Sequence, residues 1–395
     1  MKMKLTIFTD TYWPEVNGVA LSLQRWVNFL EERGHQCQVF APSLNGGRVV
    51  RDGSVIRYPS FSFPLYKQCK LAVPVPWRMM KMVREFAPDL IHVATPFNIG
   101  LCGRYAALSL KVPFVASYHT HFERYLPHYR LGALLPVLDR YMRWFHQHCD
   151  KIFVPSPSTK AHLERQGYKR VEVKGNGVDL ALFQPHVDRT AVRARYGLKD
   201  DHFILLFVGR LAPEKGIDVL LNTFHFLPER IKSHSRLVLV GEGPLYEGLA
   251  KTYGNGHSGV HVLGFRHGRE LADIYAASDL FVFPSATETF GNVVLEAMAS
   301  GIPVIGANAG GICDNIRHMR TGWLCQPGDV EQFRQAVVTL HDEPELRRTL
   351  AQAGLSYSRM QSWPAVLEKM LDSCQEVIEE KRCLANHLEN VSASL

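Results

Sequence analysis

Along the first 154 residues, short unbroken apolar runs alternate with longer stretches in which apolar side chains recur at helical spacing. The runs Leu5–Phe8, Cys37–Phe40, Leu90–Val93, Pro113–Tyr118 and Lys151–Val154 predict buried strands. Between the first two, Val19, Leu23, Trp26, Val27 and Leu30 form one stripe of a helix that Gly34 closes. A second series follows residue 200: Phe203–Val208, Leu237–Val240, Val260–Leu263, Leu280–Phe283 and Pro303–Gly306. Strands alternating with helices are the signature of parallel sheets covered on both faces. The chain is therefore expected to be α/β, with two doubly wound Rossmann-like domains. The turn-rich segment Asn176–Thr190, which holds Pro185, is the expected linker and divides the chain into 1–185 and 186–361. A last helix, about 362–380, is expected to start near Trp363, where a serine and a proline mark a first turn.

Composition narrows the class. A chain of 395 residues with 46% apolar and 21% charged positions can bury a large interior and has no tract biased enough for disorder. The opening MKMKLTIFTD carries only a four-residue apolar run, too short for a signal-peptide core. No uncharged apolar stretch approaches the roughly 18 residues that suggest a spanning helix, so a cytoplasmic protein is expected. Eight scattered cysteines without a C-x-x-C pair predict reduced, mostly buried thiols. Charge is uneven: residues 1–180 hold 24 Lys and Arg against 13 Asp and Glu, a balance of +11 in a chain of net +7. Such an excess marks a face for phosphates, nucleic acid or an anionic membrane, or else ordinary solvated surface.

The stretch ETFGNVVLEAMASGIPVI, residues 288–305, sets two acids, Glu288 and Glu296, around a turn and a short helix. With Asn292 as the cap and Val293–Ala299 as helix, the acids stand roughly 12 Å apart. Glycosidase pairs sit closer, at about 5 to 9.5 Å, so the spacing suits the two ends of one long ligand. The amides of Phe290, Gly291 and Asn292 open a helix N-terminus between them, where a diphosphate fits. In FVGRLAPEKGIDVLL, Arg210 and Lys215 occupy a loop at the carboxyl end of a strand and are good phosphate partners. Gly18 begins the first helix and offers a second approach to phosphate. A dinucleotide fingerprint is absent, because GEGPLYEG has Tyr246 where the third glycine belongs. His119 and His121 in YHTHFERYL suit a hydrogen-bonding active-site role, an ordinary core or loop position, or a two-histidine metal site, the last implying a metal-dependent hydrolase.

Together, the acid pair, the VGRLAPEKG turn, the VGEGP strand end, the GNGVD linker and the YHT strand end resemble the retaining glycosyltransferases of sequence family four over residues 4 to 375. That resemblance implies the GT-B architecture, with an acceptor-side domain facing a donor-binding domain across a cleft and the last helix crossing back to the first domain. It implies that Glu296 holds the nucleotide ribose, and that Glu288 and the amides of Phe290, Gly291 and Asn292 meet the transferred sugar. Arg210 and Lys215 then neutralise the diphosphate, Gly18 closes over it, His119 bonds the donor sugar, and Gly264 and Phe265 meet the base. No metal or other cofactor is implied beyond the UDP- or GDP-sugar itself. The stretches TYWPEVNGVALSLQRW and SYHTHFERYL are similar to the branch that glycosylates lipids, including diacylglycerol glucosyl and sulfoquinovosyl transferases and GDP-mannose-dependent mannosyltransferases. The expected partner is therefore a membrane lipid or glycolipid, on an anionic membrane surface at the cytoplasmic face. A soluble sugar or polysaccharide acceptor is the alternative. Within Tyr66–Phe86, the residues Lys67, Lys70, Trp77, Arg78 and Lys81 mark a candidate interfacial helix.

Overall fold

The computed structural model describes residues 2–15, 17–43, 49–63, 66–119, 132–254 and 258–393. Two parallel sheets organise them. The first runs in the order β10-β9-β8-β7-β1-β2-β4-β3 and is parallel except where β3 (Val50–Asp52) pairs with β4 (Val55–Tyr58). Its centre is β1 (Lys4–Phe8), flanked by β2 (Gln36–Pro42) and β7 (Leu90–Val93); beyond β7 lie β8 (Phe114–Ser117), β9 (Lys151–Val154) and β10 (Val171–Val173). β1, β7 and β8 are buried at nearly every position, which explains why their sequences read as unbroken apolar runs. The second sheet runs β13-β12-β11-β14-β15-β16: β11 is Phe203–Val208, β12 Ser235–Val240, β13 Val260–Gly264, β14 Leu280–Phe283, β15 Val304–Ala307 and β16 Trp323–Cys325.

Helices cover both faces of the first sheet. On one face α1 (Gly18–Glu32) packs beside the C-terminal helix Trp363–Ala393, their apolar sides meeting through Leu23, Trp26, Leu367 and Met370. The last helix therefore crosses back to the first domain. On the other face, α2 (Pro76–Phe86), α3 (Asn98–Leu110) and α4 (Leu135–His146) bury Met79, Val83, Ala106 and Phe145 in one common cluster.

One expectation is corrected. Tyr66–Phe86 is not a single helix: Tyr66–Ala72 is β6, paired antiparallel with β5 (Ser60–Phe63), and the helix starts only at Pro76. The Val73-Pro74-Val75-Pro76 run forces the change. A residue before proline is disfavoured in the helical region, while a proline fits the first helical turn. Trp77, Arg78 and Lys81 are exposed on α2, whereas the side chains of Lys67 and Lys70 lie outside the described residues.

The carboxyl ends of the two sheets face each other. Thr289, after β14, donates its hydroxyl to the carbonyl of His119, after β8, at 2.9 Å. Asn176 Nδ2 donates to Asn292 Oδ1 at 3.1 Å, and the Ser158 amide to Asp314 at 3.2 Å. The connection between the sheets is pinned where Val178 bridges Ser362 and donates its amide to Gln361 at 2.9 Å. A Cβ on Gly177 would stand 2.5 Å from the Trp363 nitrogen, so this close approach requires glycine.

Candidate active site

Across the cleft between the sheets, His119 and Gly18 of the first domain come close to Thr289 and Asn292 of the second. The second-domain wall of the cleft begins at the helix Asn292–Ala299. This helix is capped by Gly291 at φ 81°, ψ 61°, with no side-chain cap. The cap thus falls one residue earlier than expected. Asn292 is already helical, and its amide oxygen is taken by Asn176 across the cleft. A left-handed residue is cheap only for glycine, and it turns the chain from Phe290 into the helix so that the first amides open onto the gap. The Phe290 carbonyl is tied back by Asn315 Nδ2 at 2.6 Å, which fixes the turn.

Glu288 stands before that turn. One of its carboxylate oxygens accepts from both Lys215 Nζ and the Ser285 hydroxyl, the latter at 3.0 Å. Its backbone carbonyl accepts from the Gly311 amide at 2.9 Å. Lys215 sits in the 3-10 turn Pro213–Lys215, whose left-handed end is Gly216 at φ 69°. Arg210, in the same loop, pairs with the buried Glu214 at 3.5 Å. The loop thus brings two cations and the acid Glu288 to one strand edge.

Glu296 lies one turn into the helix and accepts from the Tyr275 hydroxyl at 3.1 Å. Burial raises its carboxyl to about 7, against opposing contributions from the Tyr275 hydrogen bond and from Arg25. The acid is therefore poised near neutrality, with the Tyr275 hydroxyl as a hydrogen-bond donor to its ionised form. Gly264, at the end of β13, has φ 71° and accepts at its carbonyl from Gly241; Phe265 beside it is exposed.

From the first domain, Gly18 opens α1 opposite Asn292: a Cβ on Gly18 would sit 3.3 Å from the Asn292 amide nitrogen. Asn17 caps this helix, accepting from the Val19 and Ala20 amides. His119 follows β8, and its Nε2 is buried without a hydrogen-bond partner. Burial, reinforced by Lys174 and His92, keeps its imidazole neutral and well below the usual histidine range. His121 lies outside the described residues, and among the described residues no three metal-ligating side chains come together.

Sequence reasoning missed several residues of this region. Tyr275 has no motif of its own, while Thr289 and Asn176 lie within quoted motifs without being singled out; all three become visible through the partners given above. Lys174 is the least expected: fully buried, it precedes the GNGVD linker and donates to Ser22 Oγ of α1 at 3.2 Å. Arg25 of α1 pairs with Asp179 of the linker at 3.1 Å and stacks over Trp363 at 5.0 Å.

The same two-sheet arrangement recurs in sucrose-phosphate synthase from Thermosynechococcus elongatus, with a TM-score of 0.78 over 96% of this chain and 100% of that one at 22% identity. The fold is GT-B. Residues 16–182 match the profile described as Glycosyltransferase Family 4, and residues 188–356 match that of Glycosyl transferases group 1. Among curated relatives, a GDP-mannose-dependent alpha-mannosyltransferase of Mycobacterium tuberculosis is 35% identical over 95% of this chain and 97% of its own. An alpha-monoglucosyldiacylglycerol synthase of Streptococcus pneumoniae is 32% identical over 77% of this chain and 70% of its own. The chain belongs to glycosyltransferase family 4 and is a nucleotide-sugar-dependent glycosyltransferase. This membership replaces the hydrolase reading of His119 and His121.

Proposed function

We propose that this enzyme moves a hexose, of glucose or mannose type, from a UDP- or GDP-sugar to a hydroxyl of a membrane lipid or glycolipid, with retention at the anomeric carbon. The observation that carries the donor half is Glu288, held by Lys215 and Ser285 at the mouth of a helix N-terminus, with Glu296 one turn inside that helix. Glu296 accepts from the ribose hydroxyls and Glu288 from those of the sugar. Between them the amides of Phe290, Gly291 and Asn292 face the diphosphate, which Arg210 and Lys215 neutralise as it leaves. Gly18 approaches from the other wall, and Gly264 and Phe265 meet the base. His119, neutral and with an unpartnered Nε2, hydrogen-bonds the donor sugar. The acceptor hydroxyl attacks from the leaving-group face and its proton passes to the departing phosphate, so no protein nucleophile, metal or other cofactor is called upon.

The acceptor half is supported by the outer surface of the α2, α3 and α4 layer. There Trp77, Tyr105, Leu108, Leu134, Val137 and Trp144 are all exposed, Trp77 at 73% and Val137 at 67%. Around them stand the exposed cations Arg78, Lys81, Arg84, Lys111, Arg140 and Arg143, against only Glu85 and Asp139 on the three helices. Arg104 of α3 stacks on Trp144 of α4 at 4.1 Å, joining the two helices at the surface. Aromatic side chains interleaved with cations suit the interface of an anionic bilayer. The name of the pneumococcal relative, alpha-monoglucosyldiacylglycerol synthase, points the same way.

The decisive experiment pairs donor and acceptor screening with Glu288→Ala. The wild type should transfer radiolabelled hexose from a UDP- or GDP-sugar into a lipid extract, and the variant should retain its circular dichroism and lose at least about a hundredfold in rate. Near-normal transfer by the variant would overturn the assignment of Glu288, and transfer only to soluble glycans would overturn the acceptor.

A further inference from the structure

Lys174 is a buried lysine with no countercharge among the described residues. Its amide is anchored to the Val154 carbonyl at 2.9 Å, so the side chain is committed to the interior. Its ammonium donates to Ser22 Oγ at 3.2 Å, and no carboxylate among the described residues pairs with it. The groups that face it are His92 from β7, His119 from the end of β8, Ser22 from α1 and Cys374 from the C-terminal helix. None of the four carries an opposing charge at neutral pH: both imidazoles are held neutral, His92 pushed down to about 3, and the Cys374 thiol is pushed up to about 12 by burial. His92 Nε2 meets Ser117 Oγ at 2.8 Å, while His92 Nδ1 and His119 Nε2 have no partner. An ammonium in such surroundings is costly and is offset only by a nearby anion.

The cluster lies behind the cleft. Ser22 is one turn into α1, whose first residue, Gly18, faces Asn292, and His119 borders the gap directly. We infer that Lys174 is a positioning residue whose countercharge arrives with the donor: it acts by charge, through His119 and the N-terminus of α1, on an anion seated in the cleft. The diphosphate is the first candidate for that anion, and an acidic group on the transferred sugar is the second. This inference rests on the proposed donor site. The burial that lowers the Lys174 ammonium to about 8 gives the idea a direct readout, because an anion brought near raises the group again.

At pH 8.5 the free protein should carry only a minor fraction of Lys174 as ammonium, and binding the anion should restore most of it, an uptake of about half a proton per site. Isothermal titration in two buffers of different ionisation enthalpy measures this. Glu296, at about 7, is ionised before and after binding at that pH and contributes little. The arms are UDP, GDP, the corresponding nucleosides and UDP-glucuronate, each against wild type, Lys174→Met and Lys174→Arg. Uptake with a nucleoside diphosphate identifies the diphosphate as the anion, whereas uptake with UDP-glucuronate alone identifies the sugar's carboxylate. Lys174→Met should abolish the uptake and weaken diphosphate binding about tenfold while leaving the weak binding of the nucleoside unchanged. Lys174→Arg should restore affinity without the uptake. Tight binding of UDP or GDP and of UDP-glucuronate by wild type with no proton uptake from any of them, or the same uptake in Lys174→Met, overturns the inference and leaves the donor site standing. Failure of every nucleotide to bind wild type brings down both. A purely structural lysine would shift nucleoside and diphosphate affinity together.

Discussion

Glu296 occupies a position where function and stability oppose each other. Its carboxyl is raised from the ordinary 4.5 to about 7, so the folded protein binds more protons than the unfolded chain between those values. Stability therefore falls as pH rises through that window, by about 3 kcal/mol once the window is passed. Glu296→Gln should raise the unfolding temperature of the unliganded protein at pH 8 and leave it little changed at pH 4.5, while weakening nucleotide binding. Differential scanning calorimetry at both pH values checks the sign, and a variant less stable than wild type at pH 8 would contradict it. The Tyr275 hydrogen bond lowers the same carboxyl, so Tyr275→Phe should move the acid limb of donor binding to higher pH. Both acids were visible in the sequence because their spacing is local. Tyr275 and Lys174 were not, since each acquires its meaning from a partner more than twenty residues away or from a burial that no local pattern encodes.

Elements were legible wherever the pattern was strong. The unbroken apolar runs became central strands because those strands are covered on both faces. Short or exposed strands escaped notice. β3 is exposed along its whole length and carries no apolar run, and the apolar run of β16 is only three residues long. The Tyr66–Phe86 stretch mixes a strand with a helix, and its cations at near-helical spacing disguised the prolines that separate the two. At the helix Asn292–Ala299, local chemistry named the wrong cap: asparagine is a good cap, but the tight turn needs φ 81°, which glycine adopts without strain. Gly291→Ala meets no steric obstacle, the nearest atoms to a new Cβ being 3.6 Å away, so its cost is the backbone conformation alone. It should destabilise by about 1–2 kcal/mol in urea unfolding and reduce nucleotide affinity as the amides tilt. Unchanged stability would show that the turn relaxes elsewhere.

At the scale of the whole molecule, two sheets, a pinned connection and a returning helix set the carboxyl ends of the two sheets against each other. Gly177 and Trp363 pack closely at the crossing, from which the last helix runs into the core of the first domain. The exposed layer of α2, α3 and α4 belongs to this scale as well, because no one helix carries enough apolar surface to suggest an interface. Replacing Trp77, Val137 and Trp144 together with serine should reduce sedimentation with anionic liposomes severalfold while leaving nucleotide affinity unchanged. Undiminished sedimentation would overturn the assignment of this face to a membrane surface. No helix of the described residues is long and apolar enough to cross a bilayer, so attachment through this face would be peripheral. The sequence by itself determined the alternation of strands and helices, the two doubly wound sheets and the local acid, amide and cation motifs, because these depend on periodicity and on neighbours within one or two turns. Only the tertiary structure decided that Asn176 meets Asn292, that Lys174 is buried against Ser22 of the first helix, and that three separate helices share one buried cluster. Those relations join residues far apart in the chain, and their energies come from burial and long-range charge, which exist only once the sheets have closed on each other.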